Sequence, residues 1–214
     1  MSAPPLRLLL VRHGEVPSNR ELRYVGSRDE PLADSGVAQA EGLAAALARL
    51  PVRAVYSSPL LRARETGRRI AAARQVDLQI EPRLREQSFG DWEGLTRAEV
   101  LERDAEGLLR WESDLGTAPH GGESLTSVQQ RALDLVGDLA RDHRGEWIVL
   151  VSHVGPVKAL LCAALGAPLA TAHHMFLDPG TLSVVDWGDR PVLRLFNGPG
   201  HLGWESARWM GKSI

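Results

Sequence analysis

The stretch LRLLLVRHG at residues 6–14 joins a run of apolar side chains to an abrupt change into charged and small residues. A short, nearly continuous apolar run is typical of a β-strand buried on both faces of a sheet. A second run of this kind, WIVLV at residues 147–151, is followed by serine and histidine. His13 and His153 would therefore each follow a central strand directly.

Other apolar patterns alternate between helical and strand spacing. Helices are predicted at about 37–47, 59–74, 124–143 and 156–165, with Asp34 and Ser35 as candidate caps of the first. Further strands are predicted at 52–56, 77–80, 182–187 and 192–196. Strands that alternate with helices predict an α/β protein, a three-layer α/β/α sandwich with a mostly parallel sheet and an antiparallel edge.

The 214 residues correspond to about one and a half average domains. Residues 86–122 depart from the alternating rhythm, because a loop rich in glycine and tryptophan leads into irregular helical patterns near 96–111. We expect one domain over 1–214, with residues 86–122 as a helical lid insertion. The lid segment (residues 86–122) is rather acidic.

Composition excludes several classes of protein. Acidic residues number 27 and basic residues 25, giving a net charge of −2, and the basic residues form no block. A nucleic-acid partner is therefore not expected. No apolar run reaches the length of a membrane span, and no secretory signal pattern opens the chain, so we expect a cytoplasmic protein without a membrane partner. Cys162, the single cysteine, lies in an apolar run and is expected to be a buried thiol.

Ligands of open α/β sheets bind beyond the carboxyl ends of the strands. Arg12 and His13 follow the first strand, His153 follows a later one, and Arg62 stands just beyond the strand at 52–56. Guanidinium groups bind phosphate oxygens in a bidentate manner, and amides at the start of the 59–74 helix would add to an anion site. The alternative for Arg62 is a solvated helix residue.

Five motifs in order resemble the histidine phosphatase superfamily, which includes cofactor-dependent phosphoglycerate mutases, over nearly the whole chain. They are LVRHGE at 10–15, SSPLLRARET at 57–66, LREQSFGDWEG at 84–94, GGES at 121–124 and SHVG at 152–155.

The resemblance implies a phosphoryl transfer in two steps. His13 would attack phosphorus and Glu86 would protonate the leaving oxygen, while Arg12, Arg62 and His153 neutralise the phosphoryl oxygens. Substrate-binding positions would be Arg12, Gly14, Asn19, Arg23, Gly26, Arg62, His153 and Val154. No metal and no cofactor are expected.

The role of Glu86 requires a proton at the moment the leaving group departs. We expect burial beside Phe89 and Trp92 to raise its pKa. Glu15 could tune the site or simply face solvent, and His120 could contact substrate from the lid segment. His143, His173, His174 and His201 are expected to be structural.

The short lid segment and the sequence VGPVK at 154–158 favour a phosphatase that acts on a small phosphorylated metabolite. Three alternatives stay open: a phosphoglycerate mutase, a phospho-ligand-binding module without turnover, and a metal-dependent hydrolase with His13, Glu15 and His153 as ligands. A homodimer is also open, with Trp204 and Trp209 as candidates for packing on a partner.

Overall fold

A six-stranded sheet forms the centre of the computed structural model, which describes residues 4–203. The strands are β1 (Leu6–Arg12), β2 (Val52–Ser57), β3 (Leu78–Ile80), β4 (Trp147–Ser152), β5 (Leu182–Trp187) and β6 (Val192–Gly198). They lie in the order β3-β2-β4-β1-β5-β6. The first four are parallel to one another, and β5 runs antiparallel to both β1 and β6. The predicted mostly parallel sheet with an antiparallel edge is confirmed.

Helices cover both faces of this sheet. They are α1 (Pro17–Arg20), α2 (Asp34–Leu47), α3 (Leu61–Arg74), α4 (Arg97–Arg103), α5 (Ala105–Ser113), α6 (Leu125–Asp142) and α7 (Val154–Leu165). On one face, α6 and α7 pack on the sheet, and on the other face α2 and α3 do so. The three-layer sandwich expected from the alternating pattern is therefore present.

The continuous apolar run of β1 is explained by these two layers. Successive side chains of a strand point to opposite faces. Leu8 and Leu10 accordingly pack against α6 and α7, whereas Leu9 and Val11 pack against α2 and α3. All four are essentially inaccessible to solvent, and burial of each such side chain contributes about 1.5–3 kcal/mol. This burial fixes the position of β1, and His13 directly follows that strand.

Three helix starts differ from the sequence prediction by two or three residues. Helix α2 begins at Asp34, three residues before the predicted start, and α7 begins at Val154, two residues before it. Asp34 and Ser35 do not cap α2, because Ala33 is the N-cap and no side chain bonds to the first turn. Ser35 instead donates to the Glu15 carboxylate over 2.6 Å. Helix α3 begins at Leu61, two residues after the predicted start.

The irregular helix predicted near 96–111 is in fact two helices. Asp104 ends α4 and caps α5, where its carboxylate accepts from the Gly107 amide over 3.0 Å. This use of an aspartate side chain in place of a helical backbone bond explains the break.

A small core of its own stabilises the lid segment. Trp92, Val100 and Leu108 are buried together, and Tyr24 from the loop after β1 packs against them with Trp111. The acidic residues of the segment are largely used within it or by neighbouring arginines. Ion pairs join Arg23 to Glu99, Arg97 to Glu112 and Arg110 to Glu106. The acidic composition therefore produces a weaker negative field than the count suggested.

Cys162 is buried, as predicted, and no helix within residues 4–203 is both long and apolar enough to cross a membrane. His143 bonds to Tyr56 and Glu146, and His201 bonds to the Gly180 carbonyl. Trp204 and Trp209 lie outside the described residues.

The contact between the loop after β1 and α2 generates a prediction about stability. A Cβ on Gly36 would overlap the carbonyl oxygen of Glu15, whereas a Cβ on Gly137, in α6, would meet nothing within 4 Å. We expect Gly36→Ala to lower the free energy of unfolding by about 1–3 kcal/mol, and Gly137→Ala to raise it by about 0.5–1 kcal/mol. Urea denaturation measures both values. Equal stability of the two variants would contradict the close approach.

Candidate active site

The two histidines of the sequence motifs lie side by side at the carboxyl edge of the sheet. Strands β1 and β4 are parallel neighbours, with Arg12 opposite Ser152 in the register. The next residues, His13 and His153, therefore leave the sheet together, and their ring centroids are 4.9 Å apart. Both rings are buried. The order of the strands explains how residues 140 positions apart come into contact.

His13 is held as one defined tautomer. Its Nδ1 lies 2.7 Å from the carbonyl oxygen of Gly14, which can only accept a hydrogen bond, so Nδ1 carries the proton. Nε2 therefore presents a lone pair, which accepts a hydrogen bond from Nε of Arg62 over 3.2 Å. The lone pair that could act as a nucleophile faces a cation.

Arg62 is a buried site residue and not a solvated helix residue. Only 1% of it is exposed, at the first turn of α3. Besides His13, its guanidinium group donates to the carbonyl oxygens of Arg28 over 2.7 Å and Gly26 over 2.8 Å. These bonds fix the direction of the guanidinium plane and explain the place of Gly26, which has a positive φ of 53°.

One of the two ring nitrogens of His153 has a hydrogen-bond partner within residues 4–203. Its Nε2 lies 2.8 Å from Oγ of Ser58, the residue after β2. Its Nδ1 is buried and, among residues 4–203, has no hydrogen-bond partner. A buried polar atom without a partner is costly, and a bound ligand atom would remove that cost. Arg12 lies in the same group, where its Nη1 donates to the carbonyl oxygen of Leu177.

The surroundings keep both imidazoles neutral. Burial lowers the pKa of His13 well below its usual value, and the charges of Arg62 and Arg12 lower it further. Burial, Arg62, His13 and Arg12 lower the pKa of His153 in the same direction. Burial also lowers the pKa of Arg62. Two neutral imidazoles beside two guanidinium groups form a pocket suited to an anion.

Glu86 sits at the N-terminus of α7. Its carboxylate accepts hydrogen bonds from the backbone amides of Val154 over 3.1 Å, Gly155 over 3.0 Å and Gln87 over 2.9 Å. The predicted burial beside Phe89 and Trp92 is wrong, because those rings belong to the lid core and Glu86 is only partly buried. Val154 contributes its amide to Glu86.

Two residues with no predicted role hold the backbone around Glu86. Arg131, on α6, donates to the carbonyl oxygens of Glu86 over 3.1 Å and Arg83 over 2.6 Å. The hydroxyl group of Ser152 donates to the carbonyl oxygen of Leu84 over 2.7 Å. Arg131 lies in an ordinary amphipathic helix pattern, so nothing local in the sequence marked it. Ser58 and Ser152, in contrast, lie inside quoted motifs.

The loop after β1 supports the pocket mainly through its backbone. The amide of Gly14 donates to Oγ1 of Thr66, and Oδ1 of Asn19 accepts from the amide of Val16. Arg23 donates to Gly94, Glu21 and Glu99, which ties this loop to the lid segment.

Two amides at the start of α3 already have side-chain partners, which removes them from the anion-binding role expected for the start of this helix. Leu61 donates to Asp29 over 2.5 Å and Leu60 to Ser58 over 3.3 Å. The cationic character of the pocket therefore comes from Arg12 and Arg62.

The side chains of Glu15 and His120 have hydrogen-bond partners outside the group formed by His13, His153, Arg12 and Arg62. The Glu15 carboxylate accepts from Arg20 over 2.9 Å and from Ser35, so it organises the loop. His120 is exposed and paired with Asp91 over 2.8 Å. Within residues 4–203, no group of three or more His, Cys, Asp or Glu side chains is arranged to hold a metal ion.

A buried imidazole whose lone pair faces a guanidinium group, a second arginine, a second imidazole and an adjacent carboxylate define a phosphoryl-transfer type of pocket. The model of the histidine phosphatase superfamily (branch 1) matches residues 8–198. The chain belongs to this superfamily.

Several curated relatives are named phosphatases. Phosphoserine phosphatase 1 of Hydrogenobacter thermophilus is 35% identical over 204 residues, covering 92% of this chain and 95% of that protein. The adenosylcobalamin/alpha-ribazole phosphatase of Escherichia coli is 33% identical over 194 residues, covering 90% and 96%. The bifunctional protein Rv2228c of Mycobacterium tuberculosis is 38% identical over 201 residues. The chain spans about half of that relative, 55% of its length.

Solved structures resemble the whole domain. Bacillus stearothermophilus YhfR superposes with a TM-score of 0.85 at 30% identity, covering 92% of this chain and 99% of that one. A putative alpha-ribazole-5'-P phosphatase from E. coli gives a TM-score of 0.83 at 32% identity, covering 91% and 97%.

The neutral histidines predict how stability depends on pH. Their pKa values are lower in the folded than in the unfolded chain, so below about pH 6.5 the unfolded state binds more protons. The free energy of unfolding should therefore fall as the pH falls from 7 to 5, by up to about 1.4 kcal/mol per pH unit for each histidine.

Denaturant titrations at several pH values measure this slope. Paired carboxylates lose their contribution mainly below about pH 5, outside this window. His153→Gln should have a shallower slope than the unaltered protein. An identical slope would contradict a neutral His153 in the folded state.

Proposed function

We propose that this protein is a phosphomonoesterase that hydrolyses a small phosphorylated metabolite through a phosphohistidine at His13. The observation that carries the proposal is the neutral His13 whose Nε2 lone pair lies 3.2 Å from Nε of the buried Arg62. A nucleophile needs a lone pair, and a phosphoryl group needs cations around its oxygens. Both are supplied within one hydrogen-bond length.

Substrate binding exchanges one set of bonds for another. In the structure, Nε of Arg62 donates a hydrogen bond to the lone pair on Nε2 of His13. A phosphoryl oxygen would accept from Arg62 in its place and leave Nε2 facing phosphorus. The buried Nδ1 of His153 would gain a phosphoryl oxygen as its partner. Arg12 would bind the same group and, with Arg62, stabilise charge on the equatorial oxygens.

Chemistry then proceeds in two balanced steps. In the first, Nε2 of His13 forms a bond to phosphorus while the bond from phosphorus to the leaving oxygen breaks, and Glu86 gives that oxygen a proton. In the second, water attacks phosphorus, Glu86 takes a proton from it, and the bond to Nε2 breaks. Inorganic phosphate leaves, and both residues return to their starting states.

Three backbone amides hold the Glu86 carboxylate in place. The proposed first step requires a protonated Glu86 beside the bound phosphomonoester, and solvent supplies that proton. Arg131 would act as a positioning residue, because it holds the backbone of Glu86.

A phosphatase is favoured over a mutase by the small lid segment, because two of its three arginines, Arg97 and Arg110, are already paired with glutamates. The lid segment therefore offers few cations that could bind a second phosphate. The named substrates of similar phosphatases, phosphoserine, alpha-ribazole phosphate and glucosyl-3-phosphoglycerate, are small phosphorylated metabolites. We propose a substrate of this general class and no nucleic-acid or membrane partner.

Loss of the proposed nucleophile gives the first test. His13→Ala should lower kcat for p-nitrophenyl phosphate by at least about 10³-fold, measured by release of nitrophenolate in the presence of a chelator. His120→Ala is the matched control, because that histidine is exposed and bonds only Asp91 among the described residues; it should retain activity.

Phosphoglycerates tested with and without a bisphosphate would reveal a mutase. Isomerisation faster than hydrolysis, or phosphate binding without any turnover, would overturn the proposal.

The proton-transfer role of Glu86 gives the second test. Glu86→Gln keeps the shape of the side chain but removes the proton. We expect kcat/KM to fall about 10²- to 10⁴-fold for alkyl phosphates, whose leaving groups need a proton, and far less for p-nitrophenyl phosphate. An equal loss of kcat/KM for both kinds of substrate would show that Glu86 is not the general acid.

A further inference from the structure

Lys158 lies beside the pocket and takes no part in the mechanism proposed above. It stands on α7, one helical turn after the amides of Val154 and Gly155 that hold Glu86. The side chain is partly buried. Within residues 4–203, no hydrogen bond or ion pair holds its ammonium group. It is also one of only two lysines among the 25 basic residues of the sequence.

Two of the side chains that act on Lys158, Arg12 and Glu86, are members of the pocket. Burial lowers the pKa of Lys158, the charge of Arg12 lowers it further, and Glu86 and Cys162 oppose these effects. Glu86 already accepts three backbone bonds, so it is not a dedicated partner for the ammonium group. An ammonium group has three donors. A ligand with a negative charge would satisfy them and offset the cost of partial burial.

The position of Glu86 shows which part of a substrate Lys158 would meet. In an in-line transfer, the attacking and leaving atoms lie on opposite sides of phosphorus. His13 would stand on one side and Glu86 on the other. Lys158 follows Val154 by four residues and Gly155 by three, so it lies on the same face of α7 as these two. A Cβ on Gly155 would meet the Glu86 carboxylate, so this face is the one that Glu86 contacts. Lys158 is therefore on the side of the leaving alcohol. The phosphoryl oxygens themselves would be taken by Arg12, Arg62 and His153.

We infer that Lys158 is a specificity-determining residue, which binds a carboxylate on the leaving alcohol. This inference rests on the proposed phosphomonoesterase function and names its substrate class, the phosphate esters of small hydroxy acids. A carboxylate is favoured over a second phosphate because a single ammonium group beside Glu86 balances one negative charge better than two. Lysine also suits a compact anion, since it acts as a point charge.

Matched substrates test the inference. D-3-phosphoglycerate and the glycerol phosphate of the same configuration differ by a carboxylate in place of a hydroxymethyl group, and O-phosphoserine and phosphoethanolamine differ by a carboxylate. The measurement is kcat/KM for both pairs and for p-nitrophenyl phosphate. The unaltered protein should prefer the carboxylated member of each pair.

Lys158→Met removes the charge and keeps most of the length. It should lower kcat/KM for the carboxylated substrates about 10- to 100-fold, mainly through KM, and change the other three values less than about threefold. Lys158→Arg keeps the charge and should restore much of the preference.

Two results would overturn the inference in distinguishable ways. If Lys158→Met hydrolyses p-nitrophenyl phosphate normally and keeps the full preference for carboxylated substrates, or loses kcat/KM equally for both members of each pair, the role of Lys158 is wrong and the phosphatase proposal stands. If the unaltered protein hydrolyses none of the five esters, the proposed function fails, and the substrate class fails with it.

Discussion

The hydrogen bond from Nε of Arg62 to Nε2 of His13 is the interaction around which the rest of the pocket is arranged. It requires a neutral imidazole, which burial provides, and a guanidinium group held in one direction, which the carbonyl oxygens of Gly26 and Arg28 provide. It also requires Nδ1 to carry the proton, and the carbonyl oxygen of Gly14 ensures that. An arginine that is 1% exposed and bonded only to neutral groups is costly to bury, so the pocket is best completed by an anion.

Placement of these groups follows from the topology of the sheet. Strands β1, β2 and β4 are parallel and adjacent, so the residues after each of them meet at one edge. His13 follows β1, Ser58 follows β2 and His153 follows β4. Helix α7 starts directly after His153, and its first amides bind Glu86 from a distant loop. The nucleophile, the second imidazole and the carboxylate are thus fixed by rigid elements, which is what a preorganised site requires. Apart from Glu86, its first residue, the lid segment contributes mainly its own small core.

Much of this arrangement could be predicted from the chain because the signals are local. Apolar runs ending at His13 and His153 predicted two buried strands, and the helix period predicted the two outer layers. Other features depend on tertiary contacts that no local pattern encodes. Arg131 looks like any polar residue of an amphipathic helix, yet it holds the backbone of Glu86. The surroundings of Glu86 differ from the prediction, because a short distance in sequence from Phe89 and Trp92 does not bury Glu86 among those rings. Those rings instead pack with Tyr24 in the lid segment.

The central claim concerns one atom, Nε2 of His13, and can be tested there. The protein is mixed with a reactive phosphomonoester, quenched with alkaline denaturant after a few milliseconds, and examined by ³¹P NMR and peptide mass spectrometry. We expect a phosphoryl group on His13, attached at Nε2, because Nδ1 is occupied by its bond to Gly14. Rapid hydrolysis without any phosphorylated histidine, or a phosphoryl group on Nδ1 or on His153, would contradict it.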